Sequence, residues 1–266
     1  MEKVRVVVSG AYGRMGREVM KTVSAQEDLS LVGAVDKAGV GTDVFALTGV
    51  GGTGVVISSN LTETLQKTKP DVVVDFTTPL VVKENIKAIL ESGVNGVIGT
   101  TGLTEENLAE MAALTDQAGK GLLIAPNFAI GAVLMMRFAK EAAKYLPEAE
   151  IIELHHDRKI DAPSGTAMKT AEMIKNGRAQ SLTPKPAPLE KVKGARGGDY
   201  SGVHIHSVRL PGFVAHQEVI FGGVGQTLTI RHDSTDRTSF MPGVLLGIRK
   251  IIKMKGLIYG LENLMD

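Results

Sequence analysis

Up to about residue 125 the chain alternates short, nearly uninterrupted apolar runs with amphipathic stretches. Val4–Ser9, Leu31–Asp36, Val55–Ile57, Asp71–Phe76, Val94–Ile98 and Leu122–Ile124 are rich in Val and Ile and bounded by Gly, Pro or Asp, as buried strands are. Helical patterns lie between several of them, at Gly13–Val23, Pro79–Glu91 and Thr104–Ala118. Pro79 suits a first helical turn, and Thr104-Glu-Glu-Asn opens its helix with acids in the favourable positions. Strand–helix alternation with apolar strands predicts an α/β fold built on a Rossmann-like, doubly wound parallel sheet.

After about residue 126 the pattern changes. A helix at Gly131–Tyr145 leads into a strand at Glu150–His155, and a second helix follows Ser164 and runs to about Lys175. Residues 177–199 are rich in Gly, Pro, Lys and Arg and read as a long surface loop. Three strands are expected at Val203–Leu210, Val214–Phe221 and Thr227–His232. The turn signals Pro211-Gly212 and Gly222-Gly223 between them predict a mainly antiparallel sheet in an α+β second half. A helix at Ser239–Met254 closes the chain.

Composition narrows the function more by exclusion than by suggestion. A length of 266 residues is enough for one large domain or two modest ones. A net charge of +1 offers no polyelectrolyte surface, which argues against nucleic acid, and the lack of Trp argues against base stacking. Without cysteine there is no disulfide, thiol catalysis or cysteine-ligated zinc, in keeping with a reducing cytosol. The N-terminus lacks the pattern of a signal peptide, and no apolar run approaches the ~18–20 residues of a membrane span.

The first chemical motif is Gly10-Ala11-Tyr12-Gly13-Arg14-Met15-Gly16, set between a strand and a helix start. Glycines there let the backbone approach a pyrophosphate at the helix N-terminus. Asp36 ends the next strand, twenty residues beyond Gly16, where an acid can accept ribose hydroxyls. Tyr12 stands where the commoner fingerprint has its second glycine. Asp36 favours the ribose diol of NADH, whereas Lys37 next to it can pair with the 2′-phosphate of NADPH, so both cofactors stay open. Gly99-Thr-Thr-Gly102 and Ala125-Pro-Asn-Phe128 also follow strand ends, which puts Thr100, Thr101 and Asn127 either at a nicotinamide ring or in ordinary turns.

All six histidines lie after residue 150, so the chemistry-bearing half is the second one. Within Glu153-Leu-His-His-Asp-Arg-Lys-Ile-Asp-Ala-Pro-Ser-Gly-Thr-Ala167, His155 and His156 can trade protons near neutrality and Lys159 adds a positive donor. Ser164 reads as an N-cap, and the free N–H groups of the helix behind it form an anion cradle. In an extended segment His155, Asp157 and Lys159 share one face and His156 takes the other; in a helix His155 and Lys159 still share a face. A metal site from His155, His156, His204 and His206 with Asp157 or Asp161 is the rival reading, but Lys159 would set a positive charge beside the ion and no metal is expected. His204 and His206 are assigned to support of the site or its surface, and His216 and His232 have no assigned role.

Taken in order, these four motifs resemble the dihydrodipicolinate reductase family over essentially the whole chain. The resemblance implies a cytoplasmic homotetramer that uses NADH and/or NADPH to reduce a cyclic dicarboxylate imine of the diaminopimelate route to lysine. It implies a dinucleotide-binding domain over 1–126, completed by a C-terminal helix in 239–266, and a substrate-binding and oligomerisation domain over 127–238. Residue by residue, it makes His155 a proton donor and acceptor and Lys159 a proton donor. His156, Ser164, Gly165, Thr166 and Thr101 fall to the substrate. Gly10, Ala11, Tyr12, Gly13, Arg14, Met15, Asp36, Lys37, Gly99, Thr100, Thr101, Ala125, Pro126, Asn127 and Phe128 fall to the cofactor. Two departures stand out: Ala215-His216-Gln217 replaces the Gly-Glu-His of many relatives, and Thr78 replaces an arginine of some that favour NADPH. The alternatives are a non-catalytic dinucleotide sensor, a metal-dependent hydrolase, or a reductase of another small oxo or imino acid.

Overall fold

The computed structural model describes residues 2–50, 54–179 and 189–265. The chain forms two compact units, Met1–Phe128 with Phe240–Asp266, and Ala129–Ser239.

The first unit opens with β1 (Val4–Ser9), α1 (Arg14–Ser24), β2 (Leu29–Val35), α2 (Val44–Thr48), β3 (Ile57–Ser58) and α3 (Leu61–Thr68). It continues through β4 (Val72–Asp75), α4 (Val82–Glu91), β5 (Asn95–Ile98), α5 (Glu105–Ala118) and β6 (Gly121–Ile124). Val6–Val8 and Val72–Val74 are fully buried, because helices cover both faces of the sheet and leave no room for a polar alternation. Ile86, Ile89 and Met111 close one face over Val7, Val73, Ile98 and Leu122. Each such fully buried side chain contributes about 1.5–3 kcal/mol. α5 begins as its sequence suggests: Thr104 caps the amide of Asn107, whose side chain reciprocates. α4 instead starts at Val82, since Pro79–Val81 form a separate turn ahead of it.

The second unit contains α6 (Ile130–Ala142), β7 (Glu148–His155), α7 (Gly165–Gly177), β8 (Gly198–Tyr200), β9 (Val203–Arg209), β10 (Ala215–Gly223) and β11 (Gln226–Ser234). Its sheet runs β11-β10-β7-β9-β8. Three of its pairings are antiparallel as expected, but β7 and β9 run parallel. Between them lie α7 and the short β8, which runs opposite to β9 and turns the chain so that β9 starts at the same end as β7. The expected loop over 177–199 gives up its last residues to β8, and residues 180–188 lie outside the described residues.

The chain then returns to the first unit through α8 (Met241–Ile251) and β12 (Gly256–Tyr259). β12 was hidden in the sequence because this edge strand is only partly buried and lacks a continuous apolar run, and it lies parallel beside β6. The strand order is therefore β12-β6-β5-β4-β1-β2-β3, which reverses direction between β1 and β4. That reversal is where doubly wound sheets open a ligand crevice.

The turn after β1 has no spare volume. A Cβ on Gly16 would stand 2.0 Å from the carbonyl oxygen of Gly10, and one on Gly10, where φ is +81°, 2.3 Å from that of Phe76. Gly16→Ala should therefore push α1 off the turn. We expect a loss of about 1–3 kcal/mol, read as a thermal midpoint lower by about 2–4 °C per kcal/mol. An unchanged melting curve would contradict this packing.

Candidate active site

In the first unit the β1/β4 reversal holds a cavity of about 530 Å³ lined by Gly10, Gly13, Asp36, Lys37, Thr77 and Thr78, among others. Gly13 is the N-cap of α1 and has no side chain to offer, so the first amides of the helix are left for a ligand. Asp36 is held in place from both sides: Oδ2 accepts the Tyr12 amide and Oδ1 the Ala38 amide, each at 2.9 Å. Tyr12 is held under the Arg17 guanidinium, 4.5 Å from its ring centre, and against Gly39. Arg14 is exposed and Met15 half-buried in the first turn of α1, whereas the side chain of Ala11 is fully buried. An open helix start, a bare glycine turn and a fixed acid at the next strand end together fit a dinucleotide.

Behind this cavity lies a network the sequence did not suggest. The fully buried Asp75 accepts bonds from the Thr100 hydroxyl (2.7 Å), the Thr77 hydroxyl (2.8 Å) and the Asn85 amide (2.8 Å). The Thr100 hydroxyl is thus committed to the protein, and a cofactor contact from this residue has to use its backbone. Thr101, next along, is exposed and borders a small cavity of about 80 Å³ with Pro126 and Tyr259 of β12. Gly99 is bare because the Phe76 ring occupies the place of its Cβ, and Phe76 also packs on the buried Phe128, with ring centres 5.7 Å apart. Ala125 and Phe128 are buried, so any contact from them also comes from the main chain.

In the second unit β7 ends at His155. Asp157 and Arg158 form a turn closed by the Lys159 amide on the His156 carbonyl (3.1 Å), so the alternation of faces stops before Lys159. Lys159 Nζ grips both oxygens of Asp161 at 2.7 and 2.8 Å. His156 follows the strand end directly, and its Nδ1 is buried without a hydrogen-bond partner among the described residues. Ser164 caps α7 by accepting the Ala167 amide at 3.2 Å. Open space faces Gly165, where a Cβ would meet nothing within 4 Å, and Thr166 follows it, half-buried.

The residue that gathers this end is Glu153, which is fully buried. Its Oε2 meets His155 Nδ1 at 2.5 Å, and Arg209 from β9 grips both of its oxygens at 2.7 and 2.8 Å. Its Oε1 also accepts the Ser164 amide at 3.3 Å. A further Arg209 bond, to the Asp161 carbonyl at 2.8 Å, ties the turn that carries Lys159 to the same carboxylate. Burial by itself would push the Glu153 carboxyl up, but hydrogen bonds from His155, Arg209 and Ser207 outweigh it and bring it down to about 2. Glu153 and Arg209 were missed in the sequence; period two puts Glu153 on the His155 face, and that was the available signal.

The other histidines lie elsewhere. Pairing of β7 with β9 puts His204 and His206 on the face opposite His155, where His206 Nε2 meets Glu150 at 2.8 Å and Arg196 also pairs with Glu150. His216 shares that face and meets Asp233 at 2.6 Å. His232 packs its ring on Gly131 at the start of α6, and burial pushes it below the usual histidine range. Gln217 fills the interior on the Glu153 side, donating to Thr170 at 2.7 Å. Among the described residues no three metal-binding side chains gather. Among the same residues no helix is long and apolar enough to cross a membrane.

Comparison with known proteins gives a consistent picture. The model of the dihydrodipicolinate reductase N-terminus matches residues 4–128, and that of the C-terminus matches 131–265. The 4-hydroxy-tetrahydrodipicolinate reductase of Desulfitobacterium hafniense is 55% identical over the whole of both chains. That of Moorella thermoacetica is 54% identical over 99% of this chain and 98% of its own. A dipicolinate-bound dihydrodipicolinate reductase from Paenisporosarcina sp. TG-14 superposes with a TM-score of 0.87 at 47% identity, covering 98% of this chain and 99% of its own.

The buried carboxylate has a consequence for stability that does not depend on catalysis. Its folded-state value lies below the ordinary 4.5, so its contribution is complete above that pH and is withdrawn as pH falls toward 2. The difference corresponds to on the order of 3 kcal/mol. Denaturant unfolding between pH 5.5 and 2.5 should show the wild type losing more stability than Glu153→Gln by roughly that amount; parallel curves would contradict the assignment.

Proposed function

This chain belongs to the dihydrodipicolinate reductase family, and we propose from that premise how its residues share the family's reaction. It catalyses the nicotinamide-dependent reduction of 4-hydroxy-tetrahydrodipicolinate to tetrahydrodipicolinate in the diaminopimelate route to lysine. The observation that carries the residue assignment is that His155 and the start of α7 bond to Glu153, while Arg209 on the same carboxylate holds the carbonyl of Asp161, the partner of Lys159.

The net change takes up one hydride and one proton and releases water. When bound, the reduced nicotinamide supplies the hydride. The glycine turn Gly10–Met15 and the start of α1 hold the pyrophosphate of the cofactor, and Asp36 holds a ribose. Gly99, Thr100, Thr101 and the Ala125–Phe128 segment border its nicotinamide end. On the substrate side, Lys159 exchanges Asp161 for a substrate carboxylate or for the reacting nitrogen, either of which offers it an acceptor. The amides at Gly165 and Thr166 take a carboxylate, because the Ser164 side chain and its own amide are committed to the cap and to Glu153. His156 holds the other end of the dicarboxylate. Electron density that builds on the imine is quenched by a proton from Lys159, and His155 exchanges protons with the site.

Both NADH and NADPH serve, with NADH preferred. The support is the fixed carboxylate of Asp36, which suits a diol and repels a 2′-phosphate, set against the exposed Lys37 beside it. We further infer a cytoplasmic homotetramer that assembles through the sheet face carrying Glu150, His206 and His216; light scattering should return a four-chain mass, and a monomer would contradict this.

With substrate generated by the preceding synthase, the protein should oxidise NADH and NADPH, and no turnover with either would overturn the reading. Lys159→Ala should lower kcat by about 100-fold or more while cofactor affinity stays within about twofold. Asp36→Ala should shift the NADPH-to-NADH ratio of kcat/KM about tenfold toward NADPH, a change of 1.4 kcal/mol.

A further inference from the structure

Two hydrogen-bond patterns around His155 have no counterpart in the roles assigned so far. The first is that the ring is bonded through Nδ1 to a carboxylate with no exposed surface, at 2.5 Å. The second is the set of donors around that carboxylate. Oε1 accepts from Arg209 Nη2 and the Ser164 amide, Oε2 from Arg209 Nη1 and His155, and the Ser207 side chain donates to the same carboxylate. The paired guanidinium contact is the geometry in which a carboxylate stays ionised and does not rotate. An ionised carboxylate only accepts, so the shared hydrogen belongs to the ring.

We propose that Glu153, clamped by Arg209, is a positioning residue that keeps His155 protonated at Nδ1 and leaves Nε2 as its proton-exchanging atom. The inference rests on the reading of His155 as a proton-exchanging residue, but its evidence is the geometry of the clamp. Register places Arg209 and Ala215 on either side of His155, so the neighbouring strands bring one cation and one small apolar side chain to it. Neither competes with Glu153 as an acceptor for Nδ1. The same carboxylate anchors the Ser164 amide, which fixes the ring and the start of α7 relative to one framework. His155 is thereby aimed as well as held in one tautomer.

The test is a two-bond ¹H–¹⁵N correlation spectrum of the protein with ¹⁵N-labelled histidine, recorded over a pH series and read at the alkaline end, where the ring nitrogen shifts no longer change with pH. The His155 signals are identified by their loss in His155→Asn. The wild type should show His155 as the Nδ1–H form, and a wild-type ring in the Nε2–H form would overturn the proposal without any variant. Glu153→Gln should mix the two forms and lower kcat by up to about 100-fold, the lower end of what a positioned acid or base contributes. Glu153→Asp keeps the charge for Arg209 but withdraws it by one methylene; it should fold and show an intermediate mixture. An unchanged tautomer in both variants would overturn the proposal. His155→Asn at wild-type kcat would instead remove the proton-exchange reading while leaving the tautomer result standing, so the two failures are distinguishable.

Discussion

The second unit is organised by a carboxylate that is buried and yet ionised. Taking Glu153 out of water is costly, and only a saturated set of donors offsets it. Those donors come from three parts of the chain: His155 on the same strand, Ser207 and Arg209 on a strand reached after α7, and the amide that starts α7. Through the Asp161 carbonyl, Arg209 also restrains the turn that presents Lys159. Removing one partner would leave a buried charge uncompensated, at a cost of about 3–5 kcal/mol. The arrangement therefore holds as a whole, and the residues we propose to handle protons share a frame with those we propose to hold the substrate.

The first unit solves a related problem with neutral donors. Asp75, buried at the end of β4, is surrounded by the hydroxyls of Thr77 and Thr100 and the amide of Asn85. It ties the Gly99–Gly102 loop to the strand beside it. Asp36 does the same for the glycine turn by accepting the Tyr12 amide. In both units an acid at or near a strand end sets the conformation of the loop we propose to meet the ligand. Precision in these sites comes from loops anchored to a rigid sheet.

Much of this was legible in the residues because some local geometries admit few side chains. Gly10 and Gly16 stand where a Cβ would strike a carbonyl, so the turn had to be written in glycine. Ser164 reads as a cap because few side chains reach back to an amide three residues on. Apolar runs located the β1, β4 and β6 strands because both faces of that sheet are covered. What could not be read was long-range pairing. The parallel register of β7 and β9, which brings Arg209 to Glu153 and sends His204 and His206 to the other face, depends on a crossover with no local mark. β12, Gly-Leu-Ile-Tyr, is an edge strand that is only partly buried, so it carries no run of buried apolar residues like those of β4 and β6. Alternation carried past His155 failed because the chain turns at Asp157, and no glycine or proline marks that turn.

In the proposed reaction the chain itself delivers the protons to a substrate that a bound nicotinamide would reduce. The most direct measurement is the solvent deuterium isotope effect on cofactor oxidation, taken with cofactor deuterated at the transferred position so that hydride transfer is known to limit the rate. A normal solvent effect well above unity that adds to the cofactor effect is predicted, with its size reduced in Lys159→Ala. A solvent effect of unity, under conditions where the deuterated cofactor slows the reaction, would contradict the assignment of His155 and Lys159 to the proton.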